Sequence, residues 1–137
     1  MTSFVARVAR LIEGAGIDCI EITAGIGETR AQICRKGITK VEQEAYLYPY
    51  AEALRKAVSV PLILVGGMRS PSVIEKVLSD GVADMVSLCR PFIREPQLVR
   101  RWKEGDISKA RCISCNKCFA NTFLRPMRCY VEEAEKK

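Results

Sequence analysis

Histidine is absent from the 137 residues. Imidazole chemistry is therefore excluded: no nucleophile can be paired with a histidine base, and thiolates remain as the strongest metal ligands. Long apolar runs are missing too. No stretch approaches the ~20 residues that span a bilayer, and Met1 to Arg10 lack the apolar core of a signal peptide. A cytoplasmic protein is expected, in which seven cysteines serve metal or redox chemistry rather than structural disulfides.

A hydrophobic content of 48% with 28% charged residues suits one soluble core. The net charge of +6 is partly local, because Arg90, Arg94, Arg100, Arg101, Lys103, Lys109 and Arg111 crowd the approach to a cysteine run. These cations are not interleaved with aromatics and no recognition motif accompanies them, so nucleic acid is a poor fit. An anionic cofactor, a thiolate cluster or simply water is their counterpart.

The chain is organised around Pro61 to Pro91, PLILVGGMRSPSVIEKVLSDGVADMVSLCRP. An apolar run from Pro61 to Val65 breaks at Gly66 and Gly67, where a missing Cβ lets backbone N–H groups approach a ligand. A helix follows, with Ser70 as N-cap, Pro71 at its first position, Val73, Ile74, Val77 and Leu78 as its apolar stripe, and Gly81 at its end. A second apolar run, Ala83 to Leu88, stops at Cys89, Arg90 and Pro91. Two parallel strands joined by a right-handed crossover are predicted. The Gly66 and Gly67 amides and Arg90 then share the carboxyl edge of a sheet, where α/β folds bind ligands. Backbone donors and one fixed cation suit a phosphate. A plain turn and a solvated arginine are the simpler reading of the same residues.

Upstream, Ser3 caps a helix in which Phe4, Val5, Val8, Leu11, Ile12 and Ala15 keep helical spacing. Asp18 to Thr23 reads as a strand, with Glu21 a hydrogen-bonded structural carboxylate or a group at a ligand mouth. Ala24 to Leu47 loses periodicity. A loop of that length serves a ligand or an interface, and Arg30, Arg35 and Lys36 are its candidates for an anion. A helix near Pro49 turns Tyr50, Ala53, Leu54, Ala57 and Val58 inward, and another, Pro96 to Glu104, packs through Leu98, Val99 and Trp102. Three strands alternate with helices, and no internal sequence repeat is evident.

Cys112, Cys115 and Cys118 are spaced C-x2-C-x2-C, and ten residues intervene before Cys129. Four thiols in this pattern can close on one centre, either a [4Fe-4S] cluster or a tetrahedral zinc. An empty or oxidised site is the remaining reading. Cys19 reads as a buried small apolar residue and Cys34 as an incidental loop thiol.

The segments PLILVGGMRSP, DGVADMVSLCRPFIREPQLV and RCISCNKC resemble the end of the old yellow enzyme family of FMN-dependent NADH:flavin oxidoreductases. The likeness is to the iron-sulfur branch that includes dienoyl-CoA reductase and trimethylamine dehydrogenase, and it runs from about Phe4 to about Cys129. It implies an α/β chain forming a partial (β/α)8 TIM barrel, its last three strand-helix units, with a C-terminal cysteine-rich extension; residues 1–107 form the FMN-binding segment and 108–137 the cluster segment. By the same resemblance Gly66, Gly67, the Cys89 amide and Arg90 hold the FMN phosphate. Cys112, Cys115, Cys118 and Cys129 hold a [4Fe-4S] cluster, with zinc as the alternative, NAD(P)H gives electrons, and an enone-type molecule accepts them. The chain departs from the family at Cys89, where glycine is usual, and in the shorter gaps of its cysteine run.

A complete barrel takes roughly 250 residues, so a homo-oligomer or a partner chain is expected to complete it, and turnover by this chain alone is expected to be negligible. Two further classes stand beside this one: a non-catalytic partial-barrel interaction module stapled by a structural zinc on the four cysteines, and a basic zinc-binding nucleic-acid module.

Overall fold

The computed structural model describes residues 2–25, 34–120 and 124–135. Three strands, β1 (Ile20–Ile22), β2 (Leu62–Leu64) and β3 (Met85–Val86), form one parallel sheet in the order β1-β2-β3. Helices α1 (Thr2–Gly14), α2 (Tyr48–Arg55) and α3 (Pro71–Ser79) precede the strands in turn, and short helices α4 (Arg90–Arg94), α5 (Leu98–Lys103) and α6 (Tyr130–Glu135) follow. The alternation predicted from periodicity is present, with each strand shorter than its apolar run. No helix among the described residues is long and apolar enough to cross a membrane.

Parallel register assigns the two sheet faces. Ile20 pairs with Leu62, and Ile22 with Leu64 and Leu64 with Val86, on the face that packs against helices; Leu62 and Leu64 are completely buried there. Glu21, Ile63 and Met85 share the opposite face, where Glu21 and Met85 are exposed. The Glu21 carboxylate thus makes no hydrogen bond to another described residue, and Cys19, expected to be buried, is exposed as well, because it lies ahead of the short paired stretch of β1.

Two helices differ from the expected faces, one of them only in part: along and just after α2, Leu54 and Val58 are buried and Ala57 packs on the core as expected, but Ala51 takes the place expected of Tyr50. In α2 the buried positions are Ala51 and Leu54, which with Leu47 and Val58 form an i, i+4, i+7, i+11 stripe, and Tyr50 is exposed. Among the described side chains of α1 only Ala9 is buried, whereas Phe4 is 70% and Leu11 76% exposed. The apolar stripe of α1 therefore faces away from the described core. Besides Ala9, which joins the core, polar contacts hold α1: Glu13 accepts from the Ser59 amide, the Ser59 hydroxyl and the Val60 amide, and Arg10 Nε donates to the Ala57 carbonyl.

The start of α3 is built differently from the expected N-cap. Ser70 occupies the capping position in extended conformation but makes no side-chain cap bond. Its hydroxyl instead donates to Glu44, a buried carboxylate that also accepts the Arg69 and Ser70 amides at 2.8 and 2.9 Å. Glu44 thereby satisfies N–H groups that precede the helix and have no partner within it. The predicted helix at 96–104 is shorter, Leu98–Lys103, and a separate turn, α4, starts at Arg90 itself.

Candidate functional site

The carboxyl ends of all three strands meet at one cavity of about 160 Å³. Thr23 follows β1, Val65 and Gly67 follow β2, and Ser87, Cys89 and Arg90 follow β3; Ser114 and Phe119 of the cysteine loop close the wall. Of the four residues expected to surround an anion, Gly67, Cys89 and Arg90 border this cavity. Gly66 does not. Its carbonyl accepts the Tyr46 amide at 3.2 Å, and a Cβ there would press on the backbone of residues 45–47. Gly67 has φ +73°, and its missing Cβ makes room for Ile38 Cδ1 and Tyr46 Cε1. The diglycine is thus required by the protein's own packing as well as by the turn, a reason that only the fold reveals.

Arg90 is 7% exposed, and Nη1 is its one engaged nitrogen among the described residues. It donates to the Arg35 carbonyl at 2.9 Å and to Asn116 Oδ1 at 2.5 Å. Nε and Nη2 are not among the sealed, unpaired buried nitrogens, unlike Nε and Nη2 of Arg69. Two of its nitrogens therefore make no hydrogen bond to a described residue. Arg35, named from the sequence as a possible anion ligand, contributes its carbonyl here and lays its guanidinium over the Tyr46 ring at 4.5 Å. Lys36 is exposed, and Arg30 lies outside the described residues.

Beside this cavity lies a smaller one of about 20 Å³ bordered by Cys112, Cys115, Cys118 and Cys129, with Arg90 and Asn116 in its wall. All four cysteines of the predicted set line this one space. Among the described residues, however, no three Cys, Asp or Glu side chains are drawn together as a metal-holding group. Burial pushes the Cys112 and Cys118 thiols up from their ordinary value; the Ser114 amide, Arg90 and Arg69 pull Cys112 back towards the thiolate. Left-handed backbone at Ser114 (φ +53°) and Asn116 (φ +60°) produces the tight turns between the first three cysteines. Four thiols on one cavity, with a loop amide aimed at a sulfur, fit a thiolate-ligated centre in their donor chemistry.

The cysteine segment is laced onto the strand ends. Arg69 Nη1 donates to the Cys112 carbonyl at 2.6 Å, and the Arg69 carbonyl accepts the Ala110 amide at 2.9 Å. The Gly37 amide donates to the Ser114 carbonyl, and Asn116 Nδ2 to the Cys34 carbonyl, each at 2.9 Å. Asn116, Arg69 and Glu44 were not singled out from sequence. Asn116 carried one readable signal, as a residue tolerant of left-handed backbone inside the cysteine run. Cys34 and Cys89, read as incidental and as an amide donor, both border the larger cavity.

Comparison with known proteins bears on this geometry. The chain is 34% identical over 111 residues to an NADH oxidase of Thermoanaerobacter brockii, covering 80% of this chain and 17% of that one. It is 36% identical over 92 residues to the 4,4'-dithiodibutanoate disulfide reductase of Rhodococcus erythropolis, covering 67% and 22%. Its fold matches the solved old yellow enzyme homologue from Zymomonas mobilis with a TM-score of 0.51 at 24% identity, over 77% of this chain and 26% of the other. The chain thus spans a fifth or so of the length of these curated relatives. The family model for NADH:flavin oxidoreductases and NADH oxidases matches residues 28–108, more than half of the chain, and the chain belongs to that family.

Proposed function

We propose that this chain is a segment of an FMN-dependent NAD(P)H:flavin oxidoreductase whose strand-end cavity takes the flavin phosphate and whose four-thiol cavity takes an iron-sulfur cluster. One observation carries the reading: three parallel strands deliver their carboxyl ends to a single cavity with the Arg90 guanidinium in its wall. Anionic cofactor groups bind at that edge of parallel sheets, and a buried guanidinium with uncommitted donors suits a phosphate. Arg90 would hold the phosphate with the Gly67 and Cys89 amides, and Cys112, Cys115, Cys118 and Cys129 would hold the cluster. Bound flavin supplies hydride and single-electron chemistry. The chain's own part is to bind the phosphate end, to close the cavity with Ser114 and Phe119, and to keep the thiols beside it. No proton donor is assigned, and turnover by this chain alone is negligible in this account. NADH or NADPH is the electron donor, an enone-type molecule the acceptor, and the reducing cytoplasm the setting that keeps the thiols free.

A second reading is favoured by the exposed sheet face and the two open sheet edges: a non-catalytic module that completes a partner chain and uses the four cysteines for zinc. Anaerobic purification separates the two. Flavin absorption together with iron and sulfide supports the first, zinc without flavin supports the second, and a colourless, metal-free protein contradicts both.

A further inference from the structure

Arg90 belongs to two cavities at once. Its guanidinium borders the strand-end cavity with Gly67 and Cys89 and also the thiol cavity with Cys115 and Cys118. What sets its position is a residue between those cysteines: Asn116 Oδ1 takes Arg90 Nη1 at 2.5 Å, while Asn116 Nδ2 is anchored on the Cys34 carbonyl at 2.9 Å. The backbone of Asn116 is left-handed, φ +60°, so the turn that aims the neighbouring thiols and the side chain that aims the guanidinium are fixed by one residue. A second tether runs parallel to it, from Arg69, two residues beyond Gly67, to the Cys112 carbonyl.

From this juxtaposition we infer that Asn116 is a positioning residue that links the two cavities, so that loading the thiols with metal tightens the hold on a phosphate at the strand ends. The inference rests on the assignment of phosphate and metal given above. Closing the thiols on a metal immobilises the loop, and Asn116 then pins Arg90 with Nε and Nη2 turned to the ligand. The phosphate meets a preorganised cation and loses less freedom in binding it. Linkage is reciprocal, so phosphate occupancy tightens metal binding by the same factor. Two anionic centres also repel each other, and the buried guanidiniums of Arg69 and Arg90, both close enough to act on Cys112, offset that repulsion.

The test is a flavin fluorescence titration of the full chain, with saturating zinc and again with a chelator, using FMN and riboflavin as probes. Zinc is expected to tighten FMN at least about fivefold, the lower range of measured couplings between sites, and to leave riboflavin, which lacks the phosphate, unchanged. In Asn116→Gly, which tolerates the left-handed backbone, the gain should fall below about twofold. Asn116→Asp keeps an acceptor oxygen and the same backbone tolerance but loses the donor to the Cys34 carbonyl, and should retain more of the gain than Asn116→Gly, at lower FMN affinity because its carboxylate competes for Arg90. An equal gain in wild type and Asn116→Gly, a gain shared by riboflavin, or weaker FMN binding with zinc overturns the linkage while leaving the flavin assignment intact. Failure of the wild-type chain to prefer FMN over riboflavin in either condition removes the flavin assignment itself, and the linkage with it.

Discussion

Arg90 spends Nη1 on Arg35 and Asn116, and in the proposed reading its other donors meet a phosphate. Lysine at this position retains the charge but cannot reach two protein acceptors and a phosphate together. Arg90→Lys should therefore weaken FMN roughly tenfold to a hundredfold, with riboflavin little affected, in the same titration. Gly67 combines left-handed backbone with a Cβ position already filled by Ile38 and Tyr46. Gly67→Ala should cost about 1–3 kcal/mol, read as a lower urea midpoint at unchanged slope. At this scale the sequence was informative wherever a residue type announces its chemistry: Gly67, Cys89 and Arg90 line one cavity and the four cysteines another, whereas Gly66 lines neither. It was silent where the partner lies far along the chain. Asn116 meets Arg90 across 26 residues and Arg69 meets Cys112 across 43, and no local pattern encodes such pairs.

Between elements, carboxylates act as clamps. Glu44 holds the entry to α3, and Glu44→Ala strands the Arg69 and Ser70 amides in a buried place. A loss of about 2–4 kcal/mol is expected in urea unfolding, from two orphaned donors and a lost hydroxyl bond. Glu13, Asp80 and Asp84 join other elements, and each titrates below its usual range: Glu13 through the Ser59 hydroxyl and amide, Asp80 through Lys76 and then Tyr48, Asp84 through the Leu62 amide and then Arg55. Asp106 is lowered to about 2, by Ser108 first and Arg101 after it. Because these folded values lie below the unfolded ones, the folded chain binds fewer protons, and the stability they confer is present above the ordinary carboxylate range. It is lost as pH falls through the folded values. The urea midpoint should be level from about pH 7 to 5 and should fall below about pH 4. Element order and type were legible from apolar periodicity. Helix rotation was not, because Tyr50 and Ala51 fit an apolar stripe equally well and packing against β2 chooses Ala51.

Among the described residues, one face of the sheet and the outward stripe of α1 are exposed. Phe4, Val8, Leu11 and Ile12 present adjoining apolar surface, and among the described residues β1 and β3 each pair on one side only. Such surface promotes association. Leu11→Glu should shift the purified chain towards a smaller sedimenting species without lowering its urea midpoint, since Leu11 is already exposed. The partial coverage of the family's length was legible from residue count against a complete barrel, and the three-strand parallel order followed from the chirality of crossovers. What length and pattern could not supply is the close lacing of the cysteine segment to the strand ends, which places two cavities on either side of Arg90.

The central claim is that this cavity is built for the phosphate of a flavin, and comparing FMN with riboflavin on the purified chain at low salt tests it most directly. The account predicts that FMN binds at least about tenfold more tightly and that added salt or Arg90→Ala erases the difference. Equal affinities for the two flavins, unchanged by salt or by the loss of Arg90, would contradict it.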